Sequence, residues 1–424
     1  MKKTRTYSIR LLGLYYLFLF ILQTPLFGSV SVPSEPIRLG YLFLLVFPIY
    51  IYDKSYLPII VFAAYSISKF GTAITLMPTE IWYYPPIFIL LMFPFYGKQY
   101  KKMSYPSSVI ILLILVLIVD FCATMSINDN FCCFLILILL SYYCFPQIDN
   151  DVYIDVFSYM FVVISVILSF ELLFAGSQFV DNYGYTDLNR VVWADPNYLG
   201  CVIGMGAIAS IVLLTRHKST VIKLCISISL MIIVMTLVKN SSRGALLAAT
   251  CGVSVILMGR GFKIWQKIII MAIAVVFIVL IYNYGYFELL EYRLENDSGG
   301  GSGRASIWEK KLDVYFNDSS VFQMIFGRGY DNGIAVGFSY RKAFHNDFVA
   351  FLVEYGLIGF LAFIGMLLSP LRRVHFKNSI VLGGTVFLMI TCMTLEPFTL
   401  GMSIYYIFWL YVFMYSNMYR RKCL

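Results

Sequence analysis

Apolar runs close to the length of a membrane crossing follow one another through most of this chain, and that pattern limits what it can fold into. A helix needs about 20 apolar residues to cross a ~30 Å hydrocarbon core, where lipid offers an unpaired backbone group no partner. Fourteen segments come near that length, at 11–28, 37–52, 57–71, 81–96, 107–124, 131–146, 156–175, 197–215, 220–238, 243–258, 267–283, 347–368, 379–396 and 400–416. The run 81–96 contains a Pro-Pro pair and 57–71 carries Lys69. Charged residues make up 13% of the chain, against about 25% in soluble domains. The expected fold class is an all-α polytopic membrane protein with about 12–14 transmembrane helices.

The basic residues set the orientation. With a cytoplasmic N-terminus and every segment crossing, the inner loops hold Lys2, Lys3, Arg5, Arg10, Lys54, Lys98, Lys101, Lys102, Arg216, Lys218, Arg260, Lys263, Lys267, Arg372, Arg373, Lys377, Arg420, Arg421 and Lys422. The short outer loops hold Arg38, Arg190, Lys239 and Arg243, a division of 19 to 4 that follows the positive-inside rule. The inner loop "QIDNDVYID" is acidic and runs against it. The net charge of +9 lies between apolar runs, so it speaks for orientation in a membrane and not for nucleic acid. All nine cysteines fall in apolar runs or at the C-terminal tail, so neither a disulfide framework nor a cysteine metal site is expected. The basic start and first apolar run read as a membrane anchor and not as a cleaved signal.

This topology divides the chain into a bundle at 1–283, a large outer loop at 284–346 and a C-terminal helical part at 347–424 with a basic cytoplasmic tail. Inside the loop, "SGGGSG" reads as flexible. "RASIWEKKLDVYF" places Trp308, Leu312 and Tyr315 on one helical face, an amphipathic helix lying on the membrane or on the domain.

Three spans then begin at the outer face, each with a polar cluster. "LNRVVWADPNYLG" offers Asp195 as a cap, Pro196 at the first helical position, Asn197 after it, and Arg190 five residues before the cap. "NSSRGALLA" offers Ser241 or Ser242 as a cap, with Arg243 in the first turn, and "FHND" opens the third span. Helix starts present free N–H groups and partial positive charge, which favour phosphates, and arginine grips phosphate bidentately. An outward-facing diphosphate site is the inference. Each element also has a structural reading. Arg190 can snorkel or pair with Asp187 or Asp195, and "ADPN" and "HND" can be caps alone. His345 is the one histidine this topology turns outward, since His217 and His375 fall in inner loops. A helix start disfavours imidazolium, leaving a base that can take a hydroxyl proton. With no second histidine and no close carboxylate pair outside, no metal or other cofactor is expected. Asp120, Glu171, Glu354 and Glu396 are further ionisable residues within apolar runs, with Glu354 assigned to packing or support. Gly356 and Gly359 would permit close helix approach.

"NSSRGALLA", then "GRASIW", "FGRGYDNG" and "FHNDFVAFLVEYGLIGFL" across a large outer loop, resemble the bacterial O-antigen polymerases and O-antigen ligases, the Wzy/WaaL superfamily. The motifs cover roughly residues 190–360. The resemblance implies a GT-C-like glycosyltransferase of the cytoplasmic membrane, inverting and independent of metal. Its donor would be an oligosaccharide on undecaprenyl diphosphate. It implies that Arg190 and Arg243 hold the diphosphate and His345 activates the acceptor hydroxyl. Arg304, Asp195, Asn197, Asn346 and Glu354 become candidates for substrate contact or support. Partners implied are the lipid-linked oligosaccharide, the bilayer, a chain-length regulator and a flippase. Polymerase is favoured over ligase because nothing in the sequence points to a lipid A-core acceptor. A lipid-linked oligosaccharide flippase would show two related halves and midplane charges. Here the halves look unlike and the polar clusters gather at one face.

Overall fold

The computed structural model describes residues 11–16, 18–19, 44, 47–51, 107–124, 127–128, 131–132, 134–136, 138–139, 150–174, 196–259, 264–285, 287–295, 303–337, 343–374, 378–399 and 403–423. The expected spans 57–71 and 81–96, and Arg190, Asp195, His375 and residues 298–302 of "SGGGSG", lie outside them. Among the described residues every regular element is helical.

Most spans end close to where hydropathy places them. α1 (Ser107–Leu115) continues through a π-helical turn at Val116–Asp120 into Phe121–Thr124. There follow α2 (Asn150–Phe174), α3 (Pro196–Arg216), α4 (Thr220–Lys239), α5 (Arg243–Met258) and α6 (Ile264–Asn283). The C-terminal part has α11 (Asp347–Val374), α12 (Ser379–Thr394) and α13 (Ser403–Cys423). Among the described residues three helices are long and apolar enough to cross a membrane by length and composition: α3, α4 and residues Asp347–Arg372 of α11.

Burial separates the centre of the bundle from its rim. The apolar window of α3 is 89% buried and that of α4 only 28%. The difference follows from side-chain size, because α3 reads "GCVIGMGAIAS" and lets neighbours approach on all sides. Lipid tails are as apolar as leucine, so association within the membrane rests on such close packing. α5 and α12 show it best: a Cβ on Gly383 would stand 2.5 Å from the Gly252 carbonyl oxygen. At one end of the bundle Arg216 pairs with Asp155 at 2.5 Å, and the Tyr159 hydroxyl meets His217 Nε2 at 2.8 Å. The acidic "QIDNDVYID" that ran against the charge rule thus contributes Asp155 to the base of α2, opposite the basic end of α3.

The segment between α6 and α11 is more ordered than a loop with one amphipathic helix. It folds as α7 (Glu288–Glu295), α8 (Arg304–Asn317), α9 (Val321–Phe326) and α10 (Tyr330–Ala335). α8 docks on α11 through a small separate core of Tyr315, Val336, Phe344, Ala350 and Val353. Its buried stripe is Ile307, Lys311 and Tyr315, with Trp308 and Leu312 half-buried. The apolar face is therefore rotated by one residue from the expected Trp308–Leu312–Tyr315 line. The Trp308 indole N–H explains the shift, donating to the Phe344 carbonyl at 2.7 Å from the flank of the interface.

α11 is broken at Gly356, whose φ of 66° and ψ of −170° leave the helical region. The break frees carbonyls one turn earlier, and the "GRG" turn satisfies them. Arg328 N–H donates to Val353 O at 3.2 Å and Gly329 N–H to Glu354 O at 2.9 Å. Side chains at Gly327 and Gly356 would collide with the facing main chain, so the two glycine motifs fit each other. The close approach expected of Gly356 is made by a turn rather than by a second span.

Candidate functional site

Two helix starts at the end of the bundle that carries His345 share one backbone device. In each, a residue with positive φ precedes the cap: Ser241 at 52° before Ser242, and His345 at 51° before Asn346. These are the only non-glycine positive-φ residues among those described. Ser242 Oγ accepts from Ala245 N–H at 3.4 Å, which makes Ser242 the cap of α5. Asn346 Oδ1 accepts from Phe348 N–H at 2.9 Å and Val349 N–H at 3.2 Å, so its side chain is engaged in capping α11. That role accounts for Asn346 without substrate.

The segment 394–399 brings these starts together. Arg243 opens α5, and a Cβ on the next residue, Gly244, would stand 2.8 Å from Thr394 Oγ1. Arg304, the first residue of α8, donates to the Thr394 carbonyl at 2.5 Å. Asp347 N–H donates to the Leu395 carbonyl at 3.1 Å. The Asp347 carboxylate accepts from Phe398 N–H and Thr399 N–H at 3.1 Å each, and from Thr399 Oγ1 at 3.2 Å. Glu396 Oε2 accepts from Phe344 N–H at 2.8 Å, and its carboxylate also accepts from the His345 main-chain N–H. The segments that carry Arg243, Arg304 and His345 therefore pack against one short stretch of chain. α3 joins through Asn197, whose Oδ1 accepts from Ser242 Oγ at 3.0 Å, and through the Pro196 carbonyl, which accepts from Asn240 Nδ2 at 2.6 Å.

His345 and Arg243 are half-buried at this rim, whereas the supporting charges are covered. Lys311 is fully buried, its Nζ 3.7 Å from the centre of the Phe344 ring. Burial lowers its pKa to about 8, against the pull of Glu354 and Glu396 towards the charged form. Glu396 lies beyond the end of α12, in the connection to α13, and not within a span as hydropathy placed it. Burial raises its carboxyl to about 7, opposed by the N–H groups of Phe344 and His345 and by Lys311 and Arg304. Asp120 closes the network from α1: it accepts from Tyr330 N–H at 2.8 Å, Asn128 N–H at 2.9 Å and the Tyr355 hydroxyl at 3.3 Å. Glu354 is buried beside the Gly356 break.

Lys311 is the participant that sequence patterning passed over. Its signal was available, since a lysine midway between Ile307 and Tyr315 at i+4 spacing puts a cation on an apolar stripe.

The fold and this rim together define an all-helical integral membrane protein. At one end, segments carrying cationic and imidazole side chains pack around a buried acidic support. Residues 226–364 match the family model described as O-Antigen ligase (Wzy_C), a stretch that runs from within α4 past the break in α11. Over that stretch the chain is similar to the O-antigen ligase and polymerase superfamily. No curated protein matches the chain.

Proposed function

We propose that the protein is a polysaccharide polymerase of the bacterial cytoplasmic membrane, making O-antigen, capsule or another exopolysaccharide. It transfers a glycan from undecaprenyl diphosphate to a sugar hydroxyl of another lipid-linked repeat unit at the outer face. The bundle 1–283 and the helices 347–424 hold the site in the membrane, with both termini cytoplasmic, and 284–346 covers it from outside. The observation that carries this reading is the packing of the Arg243, Arg304 and His345 segments around Thr394–Glu396.

The chemistry follows from those groups. His345 accepts the proton of the acceptor hydroxyl as its oxygen attacks the anomeric carbon. The bond from that carbon to the diphosphate oxygen breaks with inversion, and the diphosphate leaves with the electron pair. Arg190 and Arg243 meet the charge that develops on it, where fixed cations lower a barrier most. This assigns the electrostatic work to arginine and needs no metal. The chain-length regulator and flippase stay partners by family analogy.

A ligase reading is favoured by the description of the matching family. Deleting the gene separates the two: single repeat units on the core support polymerase, and unattached full-length polymer supports ligase. His345→Ala, at normal expression, is expected to lower transfer by about 10²–10⁴-fold. Wild-type chain lengths on a gel would remove His345 from the mechanism.

A further inference from the structure

The segment 318–329 has a surface that a water-exposed loop would not carry. On α9, Val321 is 73% exposed and Phe322 68%, with the Phe322 and Phe326 rings 4.8 Å apart. The patch does not end there. Ile325 is 37% exposed, and its main chain lies against Gly356 of α11. Directly after Gly356, Leu357 and Leu361 on one face of α11 are 48% and 57% exposed. These last two belong to a helix long and apolar enough to cross a membrane.

Depth along α11 places the contact. Arg372 is exposed at the far end of that span. Gly356 lies 16 residues before it, about 24 Å at 1.5 Å per residue, within a ~30 Å hydrocarbon core. Irregular backbone at that depth must have its polar groups met by protein, and here they are met. Ser320 and Gln323 form a reciprocal capping box, and Gly327 N–H returns to the Gln323 carbonyl. Arg328 and Gly329 N–H groups go to α11, as described above. The Arg328 guanidinium donates to the Asp318 carbonyl at 3.0 Å and the Ser319 hydroxyl at 3.0 and 3.1 Å, tying the two ends of the segment together. Asp318, Ser319, Ser320 and Arg328 sit at the ends, and the apolar residues lie between them.

We propose that residues 318–329 form a re-entrant hairpin, with α9 inserted among the acyl chains of the leaflet on the His345 side. The occupant of the patch is bulk lipid, because the patch continues the exposed flank of a membrane-spanning helix. This assignment stands apart from the glycosyltransferase reading and is tested without activity.

The test is spin-label accessibility in vesicles of phosphatidylethanolamine and phosphatidylglycerol. Full-length protein with its native cysteines replaced would carry single cysteines at Phe322, Val321, Leu361 or Asp313. The Phe322→Cys label is expected to collide with oxygen as readily as Leu361→Cys and to be shielded from a water-soluble nickel chelate. Asp313→Cys, exposed on α8, should show the reverse. Val321→Cys guards against a local effect of the label. If both α9 labels meet the chelate as Asp313→Cys does, or meet both reagents equally, the hairpin does not enter the bilayer.

Discussion

The starts of α5 and α11 are built alike but open on opposite kinds of side chain, one basic and one acidic. Each has a left-handed residue, a side-chain cap and then a charged first residue: Ser241–Ser242–Arg243 in one, His345–Asn346–Asp347 in the other. Asp347 suits the positive end of its helix, and its carboxylate is used up within the protein by Phe398 and Thr399. Arg243 runs against the dipole of α5, so that start concentrates positive charge instead of cancelling it. One start is closed by the fold and offers an imidazole; the other is kept cationic. Shared backbone geometry therefore serves two different tasks, and the side chain at the first helical position decides which.

The comparison is most sharply broken at Asp347. Asp347→Ala leaves three donors without their acceptor in a buried place, and each such loss costs about 1–3 kcal/mol. A loss of stability of about 3 kcal/mol or more is expected, read as a fall in melting temperature in detergent. Arg243→Ala, by contrast, should leave melting nearly unchanged and weaken binding of a diphosphate-linked donor by about 10- to 100-fold, the worth of one charge-assisted hydrogen bond. Arg243→Lys should keep part of that binding, and equal binding by both variants and the wild type would refute the anion-site idea.

The α11 start should also respond to pH. Burial raises Glu396 from its ordinary 4.5 to about 7, so the folded state holds a proton that the unfolded chain releases. Its contribution to stability is then lost as pH rises from about 5 through 7. Lys311, lowered to about 8, acts above that window. Glu396→Gln should flatten the melting curve between pH 5 and 7.5 relative to wild type, and an unchanged slope would discard this group as its source. The smallest effect is expected from relieving the left-handed strain, about 1 kcal/mol of added stability for Ser241→Gly or His345→Gly. Activity should part the two: Ser241→Gly keeps it and His345→Gly loses it.

Much of this was legible in the residue pattern. Most described spans follow the hydropathy boundaries within a few residues, while α2 starts six residues earlier and α11 and α13 run six and seven residues further. Ser242 and Asn346 cap where short polar side chains precede an apolar run. Other features depend on contacts between distant residues. Lys311 reads as a solvated charge until α8 is docked. Glu396 reads as part of a span until α12 is seen to stop at Thr394. The "FGRG" and "EYG" motifs look like separate turns, and only their mutual packing explains both.

The sequence by itself determined an all-helical membrane protein, its likeness to a family over residues 226–364 and the capped starts of α5 and α11, because hydrophobic length and capping chemistry are local. The tertiary structure decided that the Arg243 and His345 starts share one rim, that Asp347 is used internally, and that α9 lies beside the break in α11. Those facts depend on which carbonyls and carboxylates meet across more than 50 residues of chain, as Phe344 meets Glu396, and no local periodicity encodes such meetings.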